Sequence, residues 1–223
     1  MEDGYWLERY FQDVEKAREQ FSPSGLTVRA GLEVGFERGA EERIEKVLAG
    51  YPFDFVLGSI HCLDHHAISS HKEYRAYFSK KSLPEVARDY FGALKEAVLS
   101  GLFDCIGHLD IYKRYGGEFF GPRVDELHRG YVEDIFSAMA RTGTGLEVNT
   151  SGRRRGLAGF HPSKDLLLLA KEAGIRVFTV GSDAHRKADL GADTREAAAL
   201  LEGMGLWVSI FASRRPAPFA PDL

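Results

Sequence analysis

Apolar and polar positions along the chain change period from block to block. Over Tyr5 to Gln20, Trp6, Tyr10, Phe11 and Val14 recur three or four residues apart with no proline between them, which predicts an amphipathic helix. Ser22-Pro23-Ser24-Gly25 breaks the pattern. A short strand is then expected over Thr27 to Gly31, with Glu33 just beyond it. Glu41 to Ala49 predicts a second helix, with Ile44, Val47 and Leu48 on one face. Phe53 to Leu57 is almost continuously apolar and predicts a buried strand running into Gly58-Ser59-Ile60-His61.

The same alternation continues to the C-terminus. Leu63 to Ser82 is a long polar connection, expected to be an ordered loop beside a site. Helices are predicted over Leu83 to Ser100, Arg123 to Thr142, Ser163 to Ala173 and Thr194 to Met204. Strands are predicted over Phe103 to Ile106, Gly145 to Val148, Ile175 to Val180 and Trp207 to Phe211. The proline-rich stretch after Arg215 carries no periodic signal. Short apolar strands alternating with helices predict a parallel α/β architecture. No composition shift marks a linker, so the 223 residues read as one domain.

Composition narrows the function classes. The chain is 44% hydrophobic and 28% charged, with 29 basic against 33 acidic residues. That balance argues against wholesale disorder. It lacks the basic excess expected of a protein that binds nucleic acid or an anionic membrane. Two cysteines cannot build a disulfide framework, and no apolar run approaches the roughly 18 residues of a membrane span. The first twenty residues carry no signal-peptide core. A cytoplasmic protein acting on a small molecule is the expectation.

Candidate chemistry gathers at the predicted strand ends. Five strands deliver Glu33, His61, His108, Glu147 and the pair Asp183 and His185. In a parallel barrel all such ends open on one face, and a barrel accounts for five contributing strands better than an open sheet does. Imidazole and carboxylate together suit zinc, manganese or iron. Gly58-Ser59-x-His61 and Asp183-x-His185 are weak signals singly; with Gly107-His108-x-Asp110, in this order, they are strong. Arg153, Arg154 and Arg155 follow the Glu147 strand and are candidates for a phosphate clamp, Arg154 first and Arg155 second. Lys113 and Arg114 add positive potential nearby. Glu147 suits a hydrogen-bonding role behind the ligands. His65, His66 and His71 are expected to line an entrance, and His161 to be a loop residue.

Gly31-Leu32-Glu33-Val34, Gly58-Ser59-Ile60-His61, Gly107-His108-Leu109-Asp110, Glu147-Val148-Asn149-Thr150 and Gly181-Ser182-Asp183-Ala184-His185 resemble, in this order, blocks of the polymerase-and-histidinol-phosphatase (PHP) superfamily. Its histidinol-phosphate phosphatase branch is the nearest likeness. The resemblance implies a distorted seven-stranded (βα) barrel holding two or three divalent ions. It implies that Glu33 bridges metals, that His61 and His108 complete one site, and that Asp183 and His185 ligate neighbouring ions. It further implies hydrolysis of L-histidinol phosphate to L-histidinol and phosphate in histidine biosynthesis. Water activated by the ions would attack phosphorus in line, the leaving oxygen would be stabilised by metal or take a proton from Asp183 or from a metal-bound water, and Arg154 would hold the phosphoryl oxygens.

The chain departs from that pattern at its start. The family opens with a strand ending in His-x-His and a second ending in Asp-His, and neither block is present. The resemblance therefore implies a barrel lacking its first two strands, with open strand edges that invite self-association. Weak or absent phosphatase activity is expected of this form. Competing expectations are another PHP phosphoesterase, an inactive binding module, and an amidohydrolase-like metal barrel.

Overall fold

The computed structural model describes residues 5–219. Helix α1 (Tyr5–Phe21) precedes strand β1 (Gly31–Gly35), helix α2 (Glu41–Ala49) and strand β2 (Phe55–Ser59). After the connection come α3 (Leu83–Leu99), β3 (Cys105–Ile106), α4 (Val132–Thr142), β4 (Gly145–Asn149), α5 (Lys164–Glu172), β5 (Phe178–Gly181) and α6 (Thr194–Gly203). Strands β1 to β5 form one sheet in sequence order, every neighbour parallel. Each strand lies beside the preceding one, which is the order a (βα) barrel follows.

The strand period of two sorts the side chains onto two faces. Val56, Ile106, Leu146, Val148 and Phe178 join the main core with the helices. Helix α3 contributes Val86, Tyr90, Phe91 and Leu94 to it; Ser82 and Glu85 cap its start reciprocally. Phe55, Leu57, Cys105 and Val177 point the other way and enclose Phe211 in a second, smaller cluster. Gly145 lets side chains pack closely across that inner face. A Cβ on Gly145 would lie 2.5 Å from Cys105 Sγ and 2.7 Å from Val177 Cγ1. Side chains of β3 and the residue before β5 thus meet over a bare backbone in β4.

A C-terminal hairpin, β6 (Ser209–Ala212) and β7 (Arg215–Pro218), supplies Phe211. Its turn residues Ser213 and Arg214 both have positive φ, 49° and 62°, as a two-residue hairpin turn requires. The proline-rich stretch, which has no periodic signal, is therefore half of a hairpin, with its prolines on an exposed strand. Asp54 ties this hairpin to the N-terminal ends of the strands. It accepts hydrogen bonds from Ser213 N–H (3.0 Å), Ala30 N–H (2.9 Å) and Arg18 Nη2 (2.8 Å). Arg214 reaches Asp104 at 3.0 Å in the same layer.

Several predicted boundaries move. The first strand begins at Gly31, so Glu33 sits in its middle and not after its end. Arg123 to Thr142 is not one helix. Residues Gly121–Glu126 form a 3-10 turn, and helix begins again at Val132, after Gly130 at φ 78°. A separate helix over Lys113–Phe120 lies where none is expected. The long connection contains a helix, Tyr74–Phe78, and a two-stranded pair, Cys62–Leu63 with His66–Ala67.

The sheet is consistent with the expected PHP-type architecture in order and direction, and among the described residues it does not close. Among the described residues no strand pairs with the outer edge of β1. The parity of the β1–β2 ladder turns the backbone groups of Gly31, Glu33 and Gly35 towards that edge. The Tyr10 hydroxyl satisfies Gly31, accepting from its N–H at 2.9 Å and donating to its carbonyl at 2.8 Å. Beyond it, Trp6, Leu32, Val34, Ile44, Val47 and Leu48 line an apolar groove.

The Asp54 node yields a stability prediction. Burial disfavours the Asp54 carboxylate, but the Ser213 and Ala30 N–H groups and Arg18 outweigh burial and lower its pKa. A lowered folded-state pKa stabilises at neutral pH and loses that contribution as pH falls through it. Asp54→Ala leaves several buried donors unpaired and is expected to cost about 2–3 kcal/mol at pH 7. The difference from wild type should narrow in strongly acidic buffer, as measured by urea denaturation at both pH values.

Candidate metal centre

Three strands of the sheet bring their residues to one point. Glu33 projects from the middle of β1, His61 follows β2 by two residues, and His108 follows β3 by two. One ligand atom from each lies within 4.8 Å of the others. Both imidazoles aim Nε2 at a single carboxylate oxygen: Glu33 Oε1 is 2.8 Å from His61 and 3.1 Å from His108. The Ser59 hydroxyl donates to the same oxygen at 2.7 Å. The register explains the convergence, since Glu33 pairs with Leu57 and Leu57 with Cys105. Ser59, two residues beyond Leu57, shares its face.

The two histidines are held differently. His61 Nδ1 meets Ser69 Oγ at 2.9 Å, which fixes the aim of its ring. His108 Nδ1 is buried with no hydrogen-bond partner among the described residues. Its backbone is unusual instead, with φ 26°, a region few bulky residues adopt. Its N–H donates to Glu147 Oε2 at 3.1 Å, as does Asn149 Nδ2 at 3.1 Å. Glu147 thus stands behind the ligands.

Electrostatics keep Glu33 ionised beside the two imidazoles. Burial penalises the Glu33 carboxylate, but the hydrogen bonds from His108 and His61 prevail and hold its pKa far below the usual range. Burial also opposes charging His108, yet Glu33 and then Glu147 raise its pKa. Complete burial, reinforced by nearby Glu33, pushes Glu147 up against the pull of His108 and Asn149. Two imidazole nitrogens and a carboxylate oxygen converging from rigid strands fit zinc, manganese or iron.

The remaining sequence candidates fall in distinct places. Asp183, at φ 49°, lies outside the three-residue cluster and pairs with the exposed His185, Oδ1 to Nε2, at 2.9 Å. Its charge is nonetheless felt by His108. Arg155 approaches Asp183 Oδ2 at 3.7 Å. Burial, then the neighbouring Arg114, lowers its pKa. Arg154 donates to the Ser182 carbonyl and, at 3.4 Å, to the Asp183 carbonyl, and pairs with Asp189 at 3.7 Å. Arg153 lies over the Phe160 ring, 4.4 Å from its centroid. Lys113 contacts Asp110 at 3.1 Å and Ser163 Oγ at 3.2 Å. His65 and His71 are exposed, and His66 bonds the Asp64 carbonyl.

Sequence reasoning missed Ser59, Ser69 and the buried pair Asp110–His161. Ser59 was detectable, because the period of two places it on the Leu57 face. His161 lies between β4 and α5, outside the ligand cluster, and is fully buried, with Nδ1 2.6 Å from Asp110 Oδ1. Nothing local in the sequence marks that pairing across 51 positions.

Comparison with known proteins agrees with this geometry. A family profile described as PHP domain matches residues 2–151. A Deinococcus radiodurans protein named "Probable histidinol-phosphatase" is 34% identical over 212 residues, 95% of this chain and 78% of its own. The histidinol-phosphatase of Bacillus subtilis is 26% identical, covering 83% of this chain and 73% of its own. The crystal structure of histidinol phosphate phosphatase from Lactococcus lactis, complexed with zinc, L-histidinol and phosphate, superposes with a TM-score of 0.77. That likeness covers 95% of this chain and 79% of the other at 23% identity, and bears on the fold. No helix among the described residues is long and apolar enough to cross a membrane. The chain belongs to the PHP domain family, on its histidinol-phosphatase branch.

Proposed function

We propose that this chain is a metal-dependent phosphomonoesterase that hydrolyses L-histidinol phosphate to L-histidinol and phosphate. The observation that carries the reading is the Glu33–His61–His108 convergence in a chain 34% identical, along 95% of its length, to a relative bearing that name. A divalent ion held there supplies Lewis-acid polarisation and water activation. The protein's own groups do the rest. Glu33 provides the anionic ligand, and Ser59 and Ser69 orient Glu33 and His61. Asp183, 2.9 Å from His185, is the residue to supply the leaving oxygen with its proton; with a further ion bound, the two would serve as its ligands instead.

Phosphate recognition falls to Arg155 with Arg114. Arg155 is the guanidinium that faces the Asp183 carboxylate, and its pairing there is loose at 3.7 Å. Arg154 and Arg153 are engaged in holding the Ser182–Asp193 loop. Lys113 is engaged with Asp110. The free β1 edge beside the Trp6 groove supports self-association of the chain through that edge.

With manganese or zinc added, the purified chain is expected to release phosphate from L-histidinol phosphate in preference to other phosphate esters. Turnover should fall below the usual range of about 1–10³ per second, because three ligands hold one ion. Glu33→Gln and His61→Ala should abolish release while leaving the circular dichroism spectrum intact. Equal release by these variants would defeat the reading. Arg155→Ala is expected to raise KM about 10–100-fold by removing a charge-assisted contact, whereas Arg153→Ala should change it less than about threefold; steady-state kinetics compare the two. Sedimentation equilibrium is expected to give the mass of a dimer, and a monomer at high concentration would dismiss the edge contact.

A further inference from the structure

We infer that Asp110 and His161, acting through Asn149 and Glu147, are positioning residues that lock the left-handed backbone at His108 and so aim its imidazole at Glu33. The inference rests on the reading of Glu33, His61 and His108 as metal ligands. It begins with the asymmetry between the two histidines. Ser69 fixes His61 through its second ring nitrogen. The second nitrogen of His108 has no such partner among the described residues, so the backbone must set its direction. That backbone, at φ 26°, is one that a side chain this large does not keep unless its surroundings impose it.

A closed circuit of buried hydrogen bonds imposes it. His108 N–H donates to Glu147 Oε2, and the same oxygen receives Asn149 Nδ2, each at 3.1 Å. The Asn149 and His161 backbones bond reciprocally, at 2.6 Å and 2.9 Å. His161 Nδ1 meets Asp110 Oδ1 at 2.6 Å, and Ser163 N–H donates to Asp110 Oδ2 at 3.0 Å. Asp110 lies two residues after His108, so the circuit closes on the residue where it began. Lys113 balances the Asp110 charge at 3.1 Å. All five members are buried. Gly152 belongs to the same fit, since a Cβ there would lie 2.7 Å from the Gly159 carbonyl and 3.3 Å from the His161 ring. His108 is thereby gripped at its own N–H and again two residues on. If φ returned to negative values, its imidazole would swing away from Glu33.

The test uses the full chain without metal first. A crystal structure of His161→Leu is expected to show His108 outside the left-handed region, with its contact to Glu33 lost. His161→Asn keeps an N–H donor near the Nδ1 position and is expected to restore both. Affinity for Co²⁺, followed by its visible absorption, should fall about 10–100-fold in His161→Leu and in Asp110→Asn. In His161→Asn it should stay within about threefold of wild type. Leu201→Ala, a core change far along the chain, controls for lost stability and should leave Co²⁺ affinity unaltered. An unchanged His108 conformation in His161→Leu would overturn the inference. If that variant does not fold, Asp110→Asn answers the same question in the same way. Failure of the wild type to bind Co²⁺ would sink the metal reading instead, and the metal-free structures would still decide the circuit.

Discussion

One carboxylate oxygen organises this molecule. Glu33 Oε1 receives two imidazole nitrogens and a serine hydroxyl, all within 3.1 Å, from segments at the ends of two neighbouring strands. The same gathering becomes a ligand set for a divalent cation once both Nε2 atoms are unprotonated. Each donor arrives from a parallel strand whose register is fixed by its neighbours. A slip of one residue in β2 would turn Ser59 to the opposite face and remove it from Glu33.

The sheet that delivers these groups is polar at one end of its inner face and apolar at the other. Phe211 fills the apolar end, and the Asp54 and Asp104 carboxylates tie its hairpin to the strand starts. The helices cover the outer face with a large core, so the inner face is free to carry charge. The buried polar circuit at His108 is affordable only because its members are paired with one another. Unpaired, each would carry a large desolvation cost. Stability and site geometry thus share the same groups at Glu147 and Asp110.

Much of this was legible from residue order. The strand–helix alternation gave the parallel α/β class, and the five polar strand ends named Glu33, His61 and His108 without coordinates. The family blocks pointed to the PHP fold, and the strand order agrees while leaving the sheet open at β1. Strand limits were less legible. A continuous apolar run does not mark where its ladder begins, and the register of β1 on β2 placed Glu33 mid-strand. The first strand of the C-terminal hairpin was expected two residues early, and its turn and second strand were silent because prolines and arginines carry no period.

By itself, then, the sequence determined which residue types end each strand and in what succession, because apolar period and turn chemistry are local properties. Only the tertiary structure decided which of those ends share an ion. It drew Asp183 and His185 into a pair of their own, gave Arg153, Arg154 and Arg155 different partners, and joined Asp110 to His161 in the interior. Those outcomes depend on the register and bending of five strands and on where each buried donor finds its acceptor. That matching is settled across the whole chain at once, and no single segment encodes it.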